Sequence, residues 1–413
     1  MSLASLAGST AAYLHIPFCR RRCYYCDFAI SIVGDQPPFA RLASPDEQSS
    51  KSSSEYGTIA QYVDVLCQEI QTTPITGQPL ETVFFGGGTP SLLTVKQLEQ
   101  ILNLLDRRFG IAAEAEISME MDPGTFDRDK LQGYVAAGIN RVSLGVQAFQ
   151  AELLAACGRT HTPEEIDRAI DLLHHANVQN FSLDLISGLP HQTLTHWQES
   201  LEKAIALAPA HLSIYDLTVE PGTAFDRWYE PGADPLPTEA MTAQMYRLAQ
   251  QVLTQAGYEH YEISNYARSG FQCWHNRVYW ENQPYYGFGM GAASYIQNQR
   301  FTRPRKRSEY YQWVQELIAA AGKIDCPPTP PTEMLLDTLM VGLRLAEGLS
   351  LRQLENQFGK ATVQDTLTCL QPYQQQGWVQ LAERSGESRI QLTDPEGFLF
   401  SNVVLSDLFE ALG

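Results

Sequence analysis

The stretch His15 to Phe28, HIPFCRRRCYYCDF, decides how the chain is read. It places Cys19, Cys23 and Cys26 within eight residues, and Asp27 and Phe28 follow where a fourth cysteine would complete the set. Disulfide pairing leaves one thiol over. Structural zinc wants four ligands, and the nearest further candidate, His15, lies on a run that reads as a strand. Iron–sulfur clusters are ordinarily held by four thiolates. Three would tether such a cluster and leave one iron open to an exchangeable ligand.

Working outward, AAYLHIPF from Ala11 reads as the strand that leads into this stretch. Further β-branched or aromatic runs begin at Thr82 (TVFFGGG), Ala115 (AEISMEMDP), Asn140 (NRVSLGVQAF), Asn180 (NFSLDLISGLP) and His211 (HLSIYDLTVEPGT). Helical patterns such as VKQLEQILNLLDRRF and PEEIDRAIDLLHHA separate them. The second of these has Ile166, Ile170 and Leu173 on one face. Strand–helix alternation predicts an α/β fold with a parallel sheet, as a partial (β/α)6 barrel over residues 1–235. Residues 34–57, rich in Ser, Pro and charge, read as an inserted loop. Residues 236–325 read as a connecting region. After the linker CPPTPP at Cys326, residues 326–413 read as helices followed by a hairpin turning at Ser385-Gly386. That is a smaller α+β, winged-helix-like domain.

Composition narrows the function classes. With 413 residues, 44% apolar and 18% charged, the chain can bury a large core. A net charge of −18 disfavours nucleic-acid binding, and RPRKR at Arg303 to Arg307 reads as a solvated basic face. The sequence shows neither a membrane-length apolar run nor a signal-peptide pattern, so a cytoplasmic location with reduced thiols is expected. Cys67, Cys157, Cys273, Cys326 and Cys369 are scattered and read as structural.

Polar residues gather near the carboxyl ends of the predicted strands, where parallel barrels build their sites. Gly87, Gly88 and Thr89 follow the second strand. Glu120 ends the third, Gln147 ends the fourth, Arg159 comes soon after it, and Asp184 sits in the fifth. Any one of them alone is equally well read as a strand-end cap or a surface polar group. Tyr13 heads the first strand, where it would pack against a ligand or in the core.

The spacing Cys-x3-Cys-x2-Cys, with Tyr25 flanking Cys26 and a strand just before it, resembles the radical S-adenosylmethionine (SAM) superfamily. The resemblance implies a [4Fe-4S] cluster on Cys19, Cys23 and Cys26. It implies SAM bound near Tyr13, Tyr25, Gly87, Gly88, Thr89, Glu120, Gln147, Arg159 and Asp184, with Arg159 facing the SAM carboxylate. From Tyr13 to GAASY at Gly291, and again in the tail, the chain resembles the branch containing oxygen-independent coproporphyrinogen III oxidase. It departs from the oxidase in having Phe28 where that enzyme has a further cysteine, and in a short segment before the motif. YCDF and the His-Asn-x-x-Tyr-Trp of CWHNRVYW (Cys273 to Trp280) instead resemble the branch's haem chaperones, the HemW family. That resemblance implies haem near His275, acceptor haemoproteins such as respiratory membrane enzymes as partners, and leaves a homodimer open. On the residues alone, His275 and Asn276 equally suit a turn cap, with the aromatics packed between domains. A catalytic radical enzyme, either the oxidase or a methyltransferase, is the alternative.

Overall fold

The computed structural model describes residues 8–34, 53–384 and 386–413. Most of the expected insertion, residues 35–52, lies outside the described residues, as does Ser385 of the expected hairpin turn. Helix α1, Ser53–Thr72, begins inside the span read as a loop.

Six parallel strands follow the predicted runs: β1 Ala11–Ile16, β2 Leu80–Gly87, β3 Ile111–Met121, β4 Arg141–Gln147, β5 Phe181–Ser187 and β6 His211–Asp216. The sheet does not stop there. β7 (Glu259–Glu262) and β8 (Asn265–Ala267) extend it antiparallel beyond β6, and β9 (Tyr286–Phe288) pairs parallel with β1. The connecting region 236–325 therefore supplies both edges of the sheet, and the core runs past the expected boundary at residue 235.

Why these residues make a curled sheet follows from their alternation. On one face Leu14, Val83, Met119, Leu144, Leu183 and Leu212 are fully buried. They share one apolar cluster with helix residues such as Leu98, Leu105, Ile170 and Leu201. On the other face stand His15, Glu116, Ser118, Glu120, Ser143, Asp184, His211 and Ser213, and they satisfy one another. Ser143 Oγ donates to both oxygens of Asp184 at 2.9 and 2.8 Å. Ser182 Oγ lies 3.2 Å from Asp184 Oδ1 and 2.9 Å from His211 Nδ1. Apolar contact outside and a satisfied polar interior place the strand ends around a common axis.

Helix caps fix where the chain re-enters the sheet. Thr94 and Thr162 each close a capping box, over helices Val95–Phe109 and Pro163–His175. The tail, helices Pro331–Gly342, Leu351–Phe358 and Lys360–Gln375 with a three-stranded sheet, has the expected winged-helix order. It has its own apolar core, which includes Tyr246 from helix Glu239–Gln255 of the larger unit.

Candidate functional site

The thiol stretch is an excursion pinned at both ends. Phe18–Cys19 pairs parallel with Ser31–Ile32, so residues 20–30 form a loop closed by strand pairing. Arg22 Nη1 donates to the carbonyls of Cys26 (3.0 Å) and Phe28 (3.2 Å) and stiffens the loop from outside. Tyr24 N–H donates to the Cys157 carbonyl, and Phe225 N–H to the Tyr24 carbonyl, both at 3.1 Å. The loop is thereby tied to the segments after β4 and β6.

One cavity of ≈ 490 Å³ opens at the carboxyl ends of the strands. Cys19, Cys23, Cys26 and Tyr25 border it from the loop. Gly87, Gly88, Thr89, Glu120, Gln147, Arg159 and Asp184 border it from β2 to β5 and the segments after them. Its volume is within the range of a small-molecule site. Burial pushes the Cys19 thiol up to about 12 and raises Cys26 as well. Without a cation these thiols stay protonated, and bound iron would reverse that.

The glycines are required by close approach. A Cβ on Gly87, whose φ is +112°, would lie 2.5 Å from the His15 ring, and one on Gly88 would lie 2.8 Å from the Phe18 carbonyl. Gly87 N–H donates to Glu120 Oε2 at 3.0 Å. The Glu120 carboxyl is pushed to about 8 by burial, helped by the Asp184 and Asp122 carboxylates. Asp184 is raised by burial too. Gln147 ends β4 in the left-handed region (φ 68°), at a register shift against β5. Its side-chain amide has no hydrogen-bond partner among the described residues. A strained residue with a free amide facing a cavity is characteristic of ligand binding.

Arg159 borders the cavity and has protein neighbours of its own. Its Nη2 pairs with Asp122 Oδ1 and donates to the Gly145 carbonyl at 2.9 Å, while Nη1 approaches Cys23 Sγ at 3.6 Å. Asp122 also accepts from Thr89 Oγ1 at 3.1 Å. Sequence reasoning passed over Asp122, although it stands two residues beyond Glu120 at the same strand end. The cavity is lined by both signs of group: the carboxyls of Glu120, Asp122, Asp184, Asp216 and Glu220, and the guanidiniums of Arg20, Arg21 and Arg159.

Two predicted residues lie elsewhere. Tyr13 points into the barrel beneath the glycine turn, with its hydroxyl 3.1 Å from His15 Nδ1 and its ring packed on Phe84. It supports the turn without lining the cavity. His15 places Nε2 2.8 Å from the Ala29 carbonyl, so both ring nitrogens are engaged and it is no fourth ligand. His275 is 1% exposed, inside the barrel near the start of β2. Its Nδ1 is 2.8 Å from Thr82 Oγ1 and its Nε2 2.9 Å from Tyr279 OH. Its ring stacks on Phe84, and burial lowers its pKa to about 3. Both ring nitrogens are therefore engaged by protein partners. Glu116 accepts from the N–H groups of Trp274 and His275, both at 3.1 Å, and holds helix Trp274–Trp280 as a plug in the amino-terminal end of the barrel.

Among the described residues, no three His, Cys, Asp or Glu side chains are arranged to hold a single metal ion. The three thiols instead border one cavity of ≈ 490 Å³. Three thiols, a glycine cradle, an unpartnered amide and a mixed set of carboxyls and guanidiniums together fit an iron–sulfur cluster with a small polar ligand beside it.

Comparison with known proteins agrees with this geometry. Residues 13–204 match the radical SAM superfamily, and residues 329–400 match the HemN C-terminal domain. The fold is that of coproporphyrinogen III oxidase (HemN) from Escherichia coli, described as a radical SAM enzyme. The TM-score is 0.76 at 24% identity, covering 97% of this chain and 90% of that one. Fold and site thus define a radical SAM protein with a HemN-type C-terminal domain, a class that implies a [4Fe-4S] cluster and SAM. Within it, the chain is 49% identical to the heme chaperone HemW of Synechocystis sp., covering 100% of this chain and 99% of that protein. It is 34% identical to the HemW of Bacillus subtilis, with 85% and 87% covered. It is 31% identical to the mouse mitochondrial radical S-adenosyl methionine domain-containing protein 1, with 84% and 75% covered. The chain belongs to the HemW family.

Proposed function

We propose that this protein is a haem chaperone. It binds haem and passes it to acceptor haemoproteins, among them respiratory membrane enzymes, from the cytoplasm. Cys19, Cys23 and Cys26 would hold a [4Fe-4S] cluster, which would supply one-electron chemistry beside SAM. Gly87, Gly88 and Thr89 border the SAM methionine moiety, Gln147 offers it an amide, and Glu120 and Asp184 accept from its amino group or ribose. Arg159 acts through Asp122 and Cys23, while Tyr25 packs at the ligand's edge and Tyr13 supports the glycine turn from below. The observation that carries the reading is the meeting of three thiols and the glycine turn on one cavity, in a chain with HemW relatives along its whole length. Among the described residues no helix is long and apolar enough to cross a membrane.

Anaerobic reconstitution followed by iron, sulfide and haem quantification on one sample tests both halves. The expected result is about four irons and four sulfides with about one haem per chain. Vinyl-porphyrin formation from a porphyrinogen by the reduced protein would replace this reading with the catalytic one. Elution volume with and without SAM tests whether the working form is a homodimer.

A further inference from the structure

Arg159 is a cation built into the wall of the thiol cavity. Its side chain is 9% exposed. Two acceptors fix its aim. Nη2 is taken by Asp122 Oδ1 and by the Gly145 carbonyl, which leaves Nη1 turned to Cys23 Sγ at 3.6 Å, within reach of a hydrogen bond to sulfur. Gly145 makes room for this arrangement: a Cβ there would lie 2.9 Å from Asp122 Oδ1 and 3.2 Å from Arg159 Nη2. The sulfur is fixed from the other side. Tyr24 N–H donates to the Cys157 carbonyl at 3.1 Å, and a Cβ on Gly158 would lie 3.1 Å from the Tyr24 ring. The residue before Arg159 thus packs on the residue after Cys23, and guanidinium and sulfur are held in register.

Asp122 makes the three thiols unequal. Its Oδ2 lies 3.1 Å from Thr89 Oγ1, which is itself 3.6 Å from Cys19 Sγ. A hydroxyl has a single proton to donate, and the carboxylate is both the nearer and the stronger acceptor. Asp122 therefore draws the Thr89 proton away from Cys19 while it turns Arg159 towards Cys23.

Resting on the reading of Cys19, Cys23 and Cys26 as cluster ligands, we propose that Arg159 raises the reduction potential of the cluster through Cys23, with Asp122 as the residue that positions it. An added electron makes the ligand sulfurs more negative. A charge-assisted N–H aimed at one of them stabilises the reduced form and so raises the potential. The Asp122 carboxylate offsets this only in part. It meets the other nitrogen of the fork, and at 29% exposure it is more open to water than the guanidinium.

The test is redox titration of the reconstituted full chain without SAM, with dithionite as reductant and electron paramagnetic resonance reading the reduced cluster. The native sequence is compared with Arg159→Met, Arg159→Lys, Asp122→Glu and Arg305→Gln. Arg159→Met removes the donor, and at a fixed poise its ratio of reduced to oxidised cluster should fall about tenfold, a shift of about 59 mV to the negative for a one-electron couple. A lysine ammonium lacks the planar fork and cannot serve Asp122, the Gly145 carbonyl and Cys23 together. Arg159→Lys should therefore shift in the same direction by less. Asp122→Glu keeps the charge but displaces the carboxylate, and it too should shift negative as the aim of Arg159 is lost. Arg305→Gln removes a 62% exposed cation beside the same loop and should leave the midpoint at the native value. Iron and sulfide should match the native protein in every variant. Native midpoints in both Arg159 variants, an equal shift in Arg305→Gln, or loss of the cluster from both Arg159 variants overturns the tuning role while leaving the cluster reading intact. A native midpoint in Asp122→Glu overturns the part given to Asp122. Absence of a reducible cluster in the native protein overturns both readings.

Discussion

Gly87 shows how closely the ligand turn is fitted to the strand beneath it. Its positive φ alone costs a non-glycine residue about 1–3 kcal/mol. A methyl group there would also press on the His15 ring, which is held between Tyr13 and the Ala29 carbonyl. Gly87→Ala should therefore bind cluster iron yet lose the spectral response to SAM. Gly222→Ala carries a similar φ (+84°) into open space and should keep that response. A second residue-scale prediction concerns Asp122. Asp122→Asn removes the charge facing Arg159, a largely buried guanidinium that also approaches Cys23. Breaking a buried pair costs about 3–5 kcal/mol where both partners are fully buried, and less here because Asp122 is 29% exposed. SAM titrations should show weakened binding with cluster content unchanged. Unaltered SAM affinity would separate Asp122 from the site. The sequence pointed to Cys19, Cys23, Cys26, Glu120 and Gln147 because each is marked by spacing or by a strand end. It did not show that the Arg159 charge was already matched, since a partner across the fold leaves no local pattern. Nor did it show which way His275 faces, because a residue type does not report its own burial.

At the scale of elements, alternation carries more than strand positions. β3 runs Glu116, Ser118, Glu120 on one face and Ile117, Met119, Met121 on the other. A barrel with a polar interior is written there as plainly as the six strands themselves. What the sequence left out was the closing of both sheet edges by β7, β8 and β9, short strands of three or four residues paired over long separations. β9 is held by an ion pair with no sequence signature. Glu69 of α1 and Arg303 are 0% and 1% exposed and 2.7 Å apart. Gly289 N–H and Tyr310 OH both donate to Glu69 Oε2, at 2.8 and 2.6 Å, and Ser294 Oγ lies 2.6 Å from Arg303. Glu69→Ala leaves a guanidinium buried without its counter-charge and should lower unfolding free energy by about 3–5 kcal/mol. Adding Arg303→Met removes that stranded charge, so the double variant should be more stable than Glu69→Ala alone. Denaturant melts that place the double variant below the single one would show that the pair is not the joint.

Across the whole molecule, the polar interior links stability to pH in two opposing directions. His275 is lowered to about 3 by burial, His161 to about 4 by burial and by Arg159, and His211 lies well below the usual range for the same kinds of reason. Below about pH 6.5 the unfolded chain takes up protons that these folded rings refuse, so each ring weakens the fold as pH falls, by about 1.4 kcal/mol per unit. Glu120 acts the other way. Its carboxyl holds a proton up to about pH 8 when folded but only to 4.5 when unfolded, so its contribution is present at low pH and is lost as pH rises through that window. The slope of the native protein is a difference between these terms, and single variants separate them. The deficit of His275→Gln against the native protein should narrow as pH falls from 6.5, because the variant has no ring to protonate. Glu120→Gln should gain on the native protein as pH rises from 4.5 towards 8. Urea midpoints of the cluster-free chain between about pH 5 and pH 8 measure both. Parallel curves for His275→Gln and the native protein would mean that water reaches the imidazole, and the plug formed by helix Trp274–Trp280 would then be open in solution.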